Sequence, residues 1–488
     1  KILDTKMKKI LINIVIAATL IACSDDDIKR YPPPTTGGGG NEVGTAQIWV
    51  TSGDESRLLS AQDNLSIIDN KETSYPSITI NETEQMQEIE GFGAALTGSS
   101  AYVINNLSTA QKNSLLSDLF DVESGAGMSY LRLTIGASDF SLEDFTYDDM
   151  PQGQEDPNLD NFSIAHDEMH VIPVANDILS INPEVKFMGS PWSAPAWMKD
   201  NESLYGGKLE EQWYATYANY FVEYIQAFEN HGIPIDAITP QNEPLHTSGY
   251  PTMRMEAQEQ ANFIKNALGP AFEGANISTK IIAYDHNFDE AGYPMTVLGD
   301  GEANPYVSGS AFHAYAGDVS AMSQVHNAYP DKGLYFTEIS GGEWSIDFSS
   351  NLRWYVQNIL MGSTKNWSKN ALFWNLALNE NHGPTNNGCQ DCRGVVTINS
   401  SGEIEKNEEY YAIAHFSKFV RPGAHRIGSS NFDDNSGLDG IAFQNPDGSK
   451  ALIVLNETPT SKTFSVIMGE NRFDYTLSSE SVATITWE

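Results

Sequence analysis

The sequence predicts an α/β fold: a (β/α)8 TIM barrel carrying a side β-sandwich built from both ends of the chain. Three observations predict it. Short β-like apolar runs recur eight times between residues 88 and 420, separated by amphipathic segments with apolar residues at helical spacing. The repeating unit is roughly 40 residues long and no Gly-rich phosphate loop interrupts it, which favours closure over the alternative, an open doubly wound sheet. On both flanks the helical period gives way to alternation, β-branched residues and turns such as Asn445-Pro-Asp-Gly448.

The eight barrel strands are expected at residues 88–93, 130–133, 186–190, 237–239, 280–284, 309–313, 334–338 and 372–374. Helices are expected between them at 108–120, 167–179, 210–230 and 255–268, and later at 319–328, 351–362 and 408–420. Ser108 with Gln111 fits a capping box, and Gly232 stops the third of these helices. Sandwich strands are expected at 47–51 and 77–80, then at 440–444, 451–455, 463–467 and 482–487. The chain therefore divides into 47–85 (N-terminal strands), 86–423 (barrel) and 424–488 (the rest of the sandwich), with folded structure beginning near Gln47. Two to four domains is also what 488 residues suggest at roughly 150 residues each.

The first 46 residues read as an address and a tether. Lys8 and Lys9 precede an apolar run from Ile10 to Ala22, which is shorter than the roughly 20 residues of a spanning helix and has the form of a signal peptide. It ends Leu20-Ile21-Ala22-Cys23, which resembles the lipobox of bacterial lipoproteins and implies cleavage before Cys23 and acylation of its sulfur. The alternative is a simple signal peptide with an incidental cysteine. Ser24-Asp25-Asp26-Asp27 is similar to the acidic tag that carries lipoproteins of Bacteroides-like bacteria to the outer surface. The expected location is thus the outer membrane, held by lipid alone, with the periplasmic face as the alternative. Residues 31–40, rich in Pro and then Gly, form a flexible tether.

Composition excludes several functions. Hydrophobic residues make up 40% and charged residues 19%, so disorder does not describe the whole chain. Acidic residues outnumber basic ones 65 to 28, for a net charge of −37, and such a surface repels nucleic acid and anionic membranes. The expected substrate is neutral or cationic, and the expected state is a monomer. With Cys23 lipidated, only Cys389 and Cys392 remain, one C-x-x-C pair with no second pair to complete a zinc site. In an exported protein the pair reads as a small disulfide stiffening a Gly/Asn-rich loop; a redox motif is the alternative, but it belongs at a helix start in a small βαβ domain.

In a barrel of this kind the chemistry lies at the C-terminal ends of the strands. Strand 4 ends Thr239-Pro240-Gln241-Asn242-Glu243-Pro244, where two prolines stop the ladder around a carboxylate. Strand 7 ends Leu334-Tyr-Phe-Thr-Glu338-Ile-Ser-Gly-Gly342, an apolar run closed by a second carboxylate. Either Glu alone reads equally well as a surface residue. Two across one barrel mouth are what glycosidic bond cleavage needs: one protonates the leaving oxygen, the other attacks the anomeric carbon or activates water.

These residues resemble clan A glycoside hydrolases and, more narrowly, glycoside hydrolase family 30. The resemblance is carried by Asn242-Glu243-Pro244, Glu338, Gly91-Phe92-Gly93-Ala94-Ala95, Arg132 with 137–141, the run from Ser190 to Lys199, His313-Ala314-Tyr315 and 374–379. It spans residues 88 to 425 in order, and the family's barrel-plus-sandwich layout fits both flanks. It implies a retaining mechanism with Glu243 as general acid/base and Glu338 as nucleophile. It further implies that Asn242 hydrogen-bonds the sugar 2-hydroxyl and that Tyr315 and Arg132 stand beside the nucleophile. Asp139 would bind sugar hydroxyls, Trp192 would contact the ring, and Trp374 would form the aromatic floor. The Cys389–Cys392 loop and the following Arg393-Gly394 resemble the endo-β-1,6-glucanase branch, which implies a neutral β-1,6-glucan of fungal-wall type as substrate. A β-glucosidase or glucosylceramidase-like exo-enzyme of the same family is the second reading, and a non-catalytic glycan-binding lipoprotein the third. No cofactor is required.

Two motifs carry less. His166-Asp-Glu-Met-His170 spaces two His four apart but lacks the zinc-protease order, so no metal is expected. The acidic residues Glu143, Asp144, Asp148 and Asp149 lack EF-hand spacing and read as solvated. Asp285-His286-Asn287 and Trp344 are pocket candidates without an assigned role, and His246, three residues after Glu243, reads as a contact to an acceptor sugar or, equally, as a solvated loop His.

Overall fold

A computed structural model describes residues 39–488; the signal-like run, Cys23 and the tether through residue 38 lie outside the described residues. Eight parallel strands close into a barrel in chain order: Gly91–Ala95, Tyr130–Ile135, Lys186–Pro191, Ile235–Ile238, Lys280–Asn287, Val307–His313, Gly333–Glu338 and Ser368–Phe373. The last pairs with the first through Asn370 and Gly91. Helices cover the outside, so these strands are buried on both faces and read as near-continuous apolar runs. The lumen is packed with one side chain from each of seven strands: Tyr130, Met188, Ala237, Ile282, Ala311, Tyr335 and Leu372. At the N-terminal end of the barrel Glu90 is buried among lysines, with Lys280 and Lys369 each 2.7 Å away. Burial pushes the Glu90 carboxyl up, but the two ammonium groups prevail and hold it at about 2.

The first expected barrel strand, 88–93, is two pieces. Glu88 ends a sandwich strand, Ser77–Glu88, and the barrel strand begins only at Gly91. The sandwich itself starts earlier than Gln47, with strand Glu42–Ser52. Its sheet also takes in Leu65–Ile68, His425–Ser429 and Asn471–Leu477, which the sequence reading passed over. The sheet folds over so that Glu42–Ser52 pairs both with Leu65–Ile68 and with the last strand, Ser481–Trp487. One face encloses its own core around Phe464, Phe473 and Leu452. Ile441, Phe443, Ile453 and Val482 point the other way and join the barrel core. Helix Glu408–Ser417 fills the seam, where His415 bonds Thr51 and Thr484, each at 2.8 Å. Burial alone lowers that His to about 3, so it is a neutral peg.

Several helices begin, break or extend away from their expected limits. The Ser108–Gln111 capping box is present and starts Thr109–Phe120. The helix expected at 167–179 is split into Ala165–Glu168 and Val171–Ile181. Pro173 lacks an N–H and fits only a first turn, so a new helix starts ahead of it. The one expected at 255–268 runs on through a π turn, Ile264–Leu268, into Gly269–Ala275, because the wider turn absorbs Pro270.

Candidate active site

Both strand-end carboxylates face the barrel mouth. Glu338 is the last residue of strand 7. Glu243 lies five residues beyond strand 4 with a left-handed backbone, φ 43°, and its N–H donates to the Asp285 carbonyl at 2.9 Å. Asp285 is itself left-handed at φ 74°, beside a register shift between strands 5 and 6 that turns its side chain into the barrel. Strain of this kind costs about 1–3 kcal/mol per residue and persists only where the surroundings enforce it. One oxygen of each Glu and one nitrogen of His313 all lie within 4.8 Å of one another.

Fully buried Arg132 and Asp285 hold this group together. Arg132 Nη1 donates to Glu338 Oε2 at 2.5 Å, and Nη2 donates to Asn242 Oδ1 at 2.7 Å and Asp285 Oδ2 at 2.8 Å. Asp285 accepts four further bonds, from Ser190, Thr239, Thr337 and His313 Nε2, at 2.6–3.0 Å. Burial would push the Asp285 carboxyl up, but Arg132, then His313, hold it far below the usual carboxylate range. Tyr315 donates its hydroxyl to Glu338 Oε1 at 2.9 Å.

His313 lies between the three carboxylates. Burial alone would lower it, but Glu338, Asp285 and Glu243 surround it and raise it to about 9. As an imidazolium it donates from Nε2 to Asp285 and from Nδ1 to Glu243, both at 3.0 Å. Burial pushes the Glu243 carboxyl up, and the His313 charge and hydrogen bond outweigh it and hold it low. Glu338 goes the other way: burial raises it, with the Glu243 and Asp285 charges adding to the effect against His313 and Arg132. The three titrate as one unit. Both His313 nitrogens are committed as donors and a guanidinium touches Glu338, so this trio is a poor cation ligand despite its spacing.

Around these groups opens a cleft of about 800 Å3 lined by Asp139, Tyr250, Tyr315, Trp344 and Trp374 among others. Burial, then the charges of Glu338 and Glu243, raise the Asp139 carboxyl well above the ordinary range. Cys389 and Cys392 are joined in a disulfide, and both line the cleft. Their loop packs directly on Asp139: a Cβ on Gly388 would fall 2.7 Å from the Asp139 Cβ, and the Asn386 N–H donates to the Asp139 carbonyl at 2.7 Å. Trp374 borders the cleft although it is only 3% exposed.

The chain matches the glycosyl hydrolase family 30 TIM-barrel domain over residues 89–420 and the β-sandwich domain of the same family over 423–485. The chain belongs to glycosyl hydrolase family 30. It is 37% identical over 441 residues to endo-1,6-beta-D-glucanase neg1 of Aspergillus fumigatus, covering 84% of this chain and 87% of that one. It is also 37% identical over 406 residues to endo-1,6-beta-D-glucanase BGN16.3 of Trichoderma harzianum, covering 78% and 80%. Among solved structures it superposes on the endo-beta1,6-glucanase BT3312 with a TM-score of 0.86 at 37% identity, covering 91% of this chain and 99% of that one.

Within this family 30 site the structure brings Glu243, Glu338, Arg132, Asn242, Tyr315, Asp139 and Trp374 together at one mouth. Trp192 is the exception. It is 2% exposed, lies outside the cleft lining and stacks on Trp374 at 5.0 Å, with the Arg132 guanidinium over both rings. Its ring packs behind Trp374, which is itself only 3% exposed. Asp148, expected to be solvated, is buried, and Trp197 donates its indole N–H to the Asp148 carbonyl at 2.9 Å. His166 stacks on Phe145 while His170 meets Tyr102 and Asn105, so the two do not converge. Sequence reasoning gave no role to Asp285 or His313, although Asp285 sits on strand 5 by the same strand-end logic that found the two Glu residues.

Proposed function

We propose that the chain is a retaining endo-β-1,6-glucanase in which Glu338 is the nucleophile and Glu243 the general acid/base. The observation that carries this reading is the pair of strand-end carboxylates with oxygens within 4.8 Å in an open cleft. Retaining enzymes hold their carboxyl groups about 5–5.5 Å apart, inverting ones about 6.5–9.5 Å. The linkage follows the relatives, which are named as endo-1,6-β-glucanases. Glu338 attacks the anomeric carbon while Glu243 protonates the departing oxygen; water deprotonated by Glu243 then displaces Glu338, restoring the β configuration. Asn242, fixed by Arg132, presents its amide to the 2-hydroxyl.

Product analysis on linear β-1,6-glucan, with β-1,3-glucan and an aryl β-glucoside alongside, tests this. A ladder of β-1,6-linked oligosaccharides, first released as the β anomer, is expected. Glucose released only from the aryl glucoside would move the protein to an exo mode, and a first-formed α anomer would overturn retention. The export reading is part of the proposal: a monomer tethered by lipid at Cys23 on the outer surface, supported by Leu20-Ile-Ala-Cys23 and the aspartates after it. Loss of the protein to external protease on intact cells is expected, and full protection would refute surface display.

The proton that Glu243 delivers is shared with His313, and this sets the alkaline limb of activity. His313 is faced by Glu243, Asp285 and Glu338, with Arg132 behind Asp285 and the Tyr315 and His286 rings alongside. Burial and the His313 charge hold His286 neutral, at about 4. His313, raised to about 9, keeps its proton below that value and loses it as pH rises through it. In His313→Gln the proton must reside on Glu243 alone, so the alkaline limb of kcat/KM moves to lower pH by more than about one unit. An unmoved limb would remove His313 from the proton path.

A further inference from the structure

The cleft, about 800 Å3, is roomier than one sugar needs, and it carries exposed aromatic surface that the catalytic reading leaves unused. Trp344 is 58% exposed and Trp354 43% exposed, yet both line the same cleft as Glu243 and Glu338. Single exposed apolar residues are ordinary, but two exposed tryptophans lining one cleft mark a binding surface.

Neither side chain is loose. A Cβ on Gly342 would fall 2.1 Å from Trp344 Cζ3, so the indole lies on the bare glycine backbone. Gly341 and Gly342 pair with Arg393 and Cys392 of the cystine loop, and the Glu343 N–H donates to the Asp391 carbonyl at 2.8 Å. Beyond Trp344, Asn351 accepts from the Ser345 hydroxyl at 2.6 Å and donates to the Ser345 carbonyl at 2.8 Å and to buried Glu408 at 3.0 Å. Asp347 caps the helix Phe348–Trp354, which runs on through a π turn, Tyr355–Met361. Trp354 in turn meets Tyr355 edge-on at 5.5 Å, and Tyr355 is anchored to Glu409. Two rings held this way lose little entropy when a ligand covers them.

We propose that Trp344 and Trp354 form a second sugar-binding wall, separate from the Trp374 floor, that holds a glucosyl unit of the chain beyond the bond being cut. The ligand class follows from the lining. It contains no Lys or Arg, so nothing there selects an anion, and its charged groups are the acids and histidines of the catalytic centre. A neutral pyranose offers an apolar C–H face to an indole and its hydroxyls to the surrounding water. The wall stands on the loop and helix after strand 7, whereas the deep floor follows strand 8, so the two receive different sugar units. This inference rests on the polysaccharide-cleaving reading above.

The experiment compares Trp344→Ala, Trp354→Ala and the double variant with the parent protein on β-1,6-, β-1,3- and β-1,4-glucans and on an aryl β-glucoside. The parent first shows which polymer is cut, so an error in linkage appears there and leaves the wall testable on whichever glucan is cleaved. For that polymer the double variant is expected to lose about tenfold or more in kcat/KM relative to the aryl glucoside, mainly through KM, with a Trp→Tyr pair restoring most of the loss. A shift of its oligosaccharide products toward a different chain length is also expected. Equal losses on polymer and aryl glucoside, or polymer kinetics within twofold of the parent, would overturn the proposal. Thermal unfolding separates misfolding from lost binding, because the Tyr pair keeps the packing on Gly342 and still reads the wall.

Discussion

Glu338→Gln is expected to lower kcat/KM on β-glucan by about 10^4–10^6-fold, the scale of losing a covalent nucleophile. That equals about 5–8 kcal/mol of transition-state stabilisation. The substitution keeps the shape of the side chain and its place between Arg132 and Tyr315. Arg132 also retains Asp285, its other buried anionic partner, so the fold should survive and sugar binding with it. Binding of gentio-oligosaccharides measured by calorimetry on this variant separates lost chemistry from lost structure. Turnover within tenfold of the parent would remove Glu338 from the nucleophile role. A sharper version uses Glu338→Ala with azide. The anion then takes the vacated side of the anomeric carbon and should yield the α-glycosyl azide.

Glu243→Ala is expected to cost about 10^2–10^4-fold on natural glucan, whose leaving alkoxide needs a proton. On an aryl glucoside with an acidic phenol the first step needs no such help, so glycosylation should fall far less and the slow second step should let glycosyl-enzyme accumulate. Azide should restore turnover here and give the β-glycosyl azide, because it attacks from the side where Glu243 would have activated water. Equal losses on both substrates would refute the acid role. Exchanged azide stereochemistry between the two variants would swap the two assignments. The geometry sets one further condition. His313 is held by Asp285 as well as Glu243, so losing the Glu243 carboxylate leaves it anchored and the pocket in place.

The legible parts of this site were those with a linear signature. Glu243 between two prolines and Glu338 at the end of an apolar run announce themselves because each terminates a strand in a recognisable way. The buried network was less legible. Asp285 depends on a bulge that reverses which face a residue points to, and strand periodicity carries no trace of a one-residue slip. His313 stood in plain view on strand 6, but its charge comes from three carboxylates supplied by strands 4, 5 and 7. Trp192 is a related case: only packing shows that its ring lies against Trp374 with the Arg132 guanidinium over it.

The sequence by itself determined the barrel, since eight apolar runs separated by amphipathic segments can bury their surface in few other ways. It also determined that both ends of the chain build the sandwich and that the two carboxylates share one mouth. Exact strand limits, such as the division at Glu88 and Gly91, were decided by pairing partners far away in the chain, His425–Ser429 and Ser368–Phe373. Only the tertiary structure decided which buried charges meet. Arg132, Asp285, His313, Glu243 and Glu338 come from five different strands or the loops that follow them, and their protonation follows from distances of a few ångströms that no local pattern encodes.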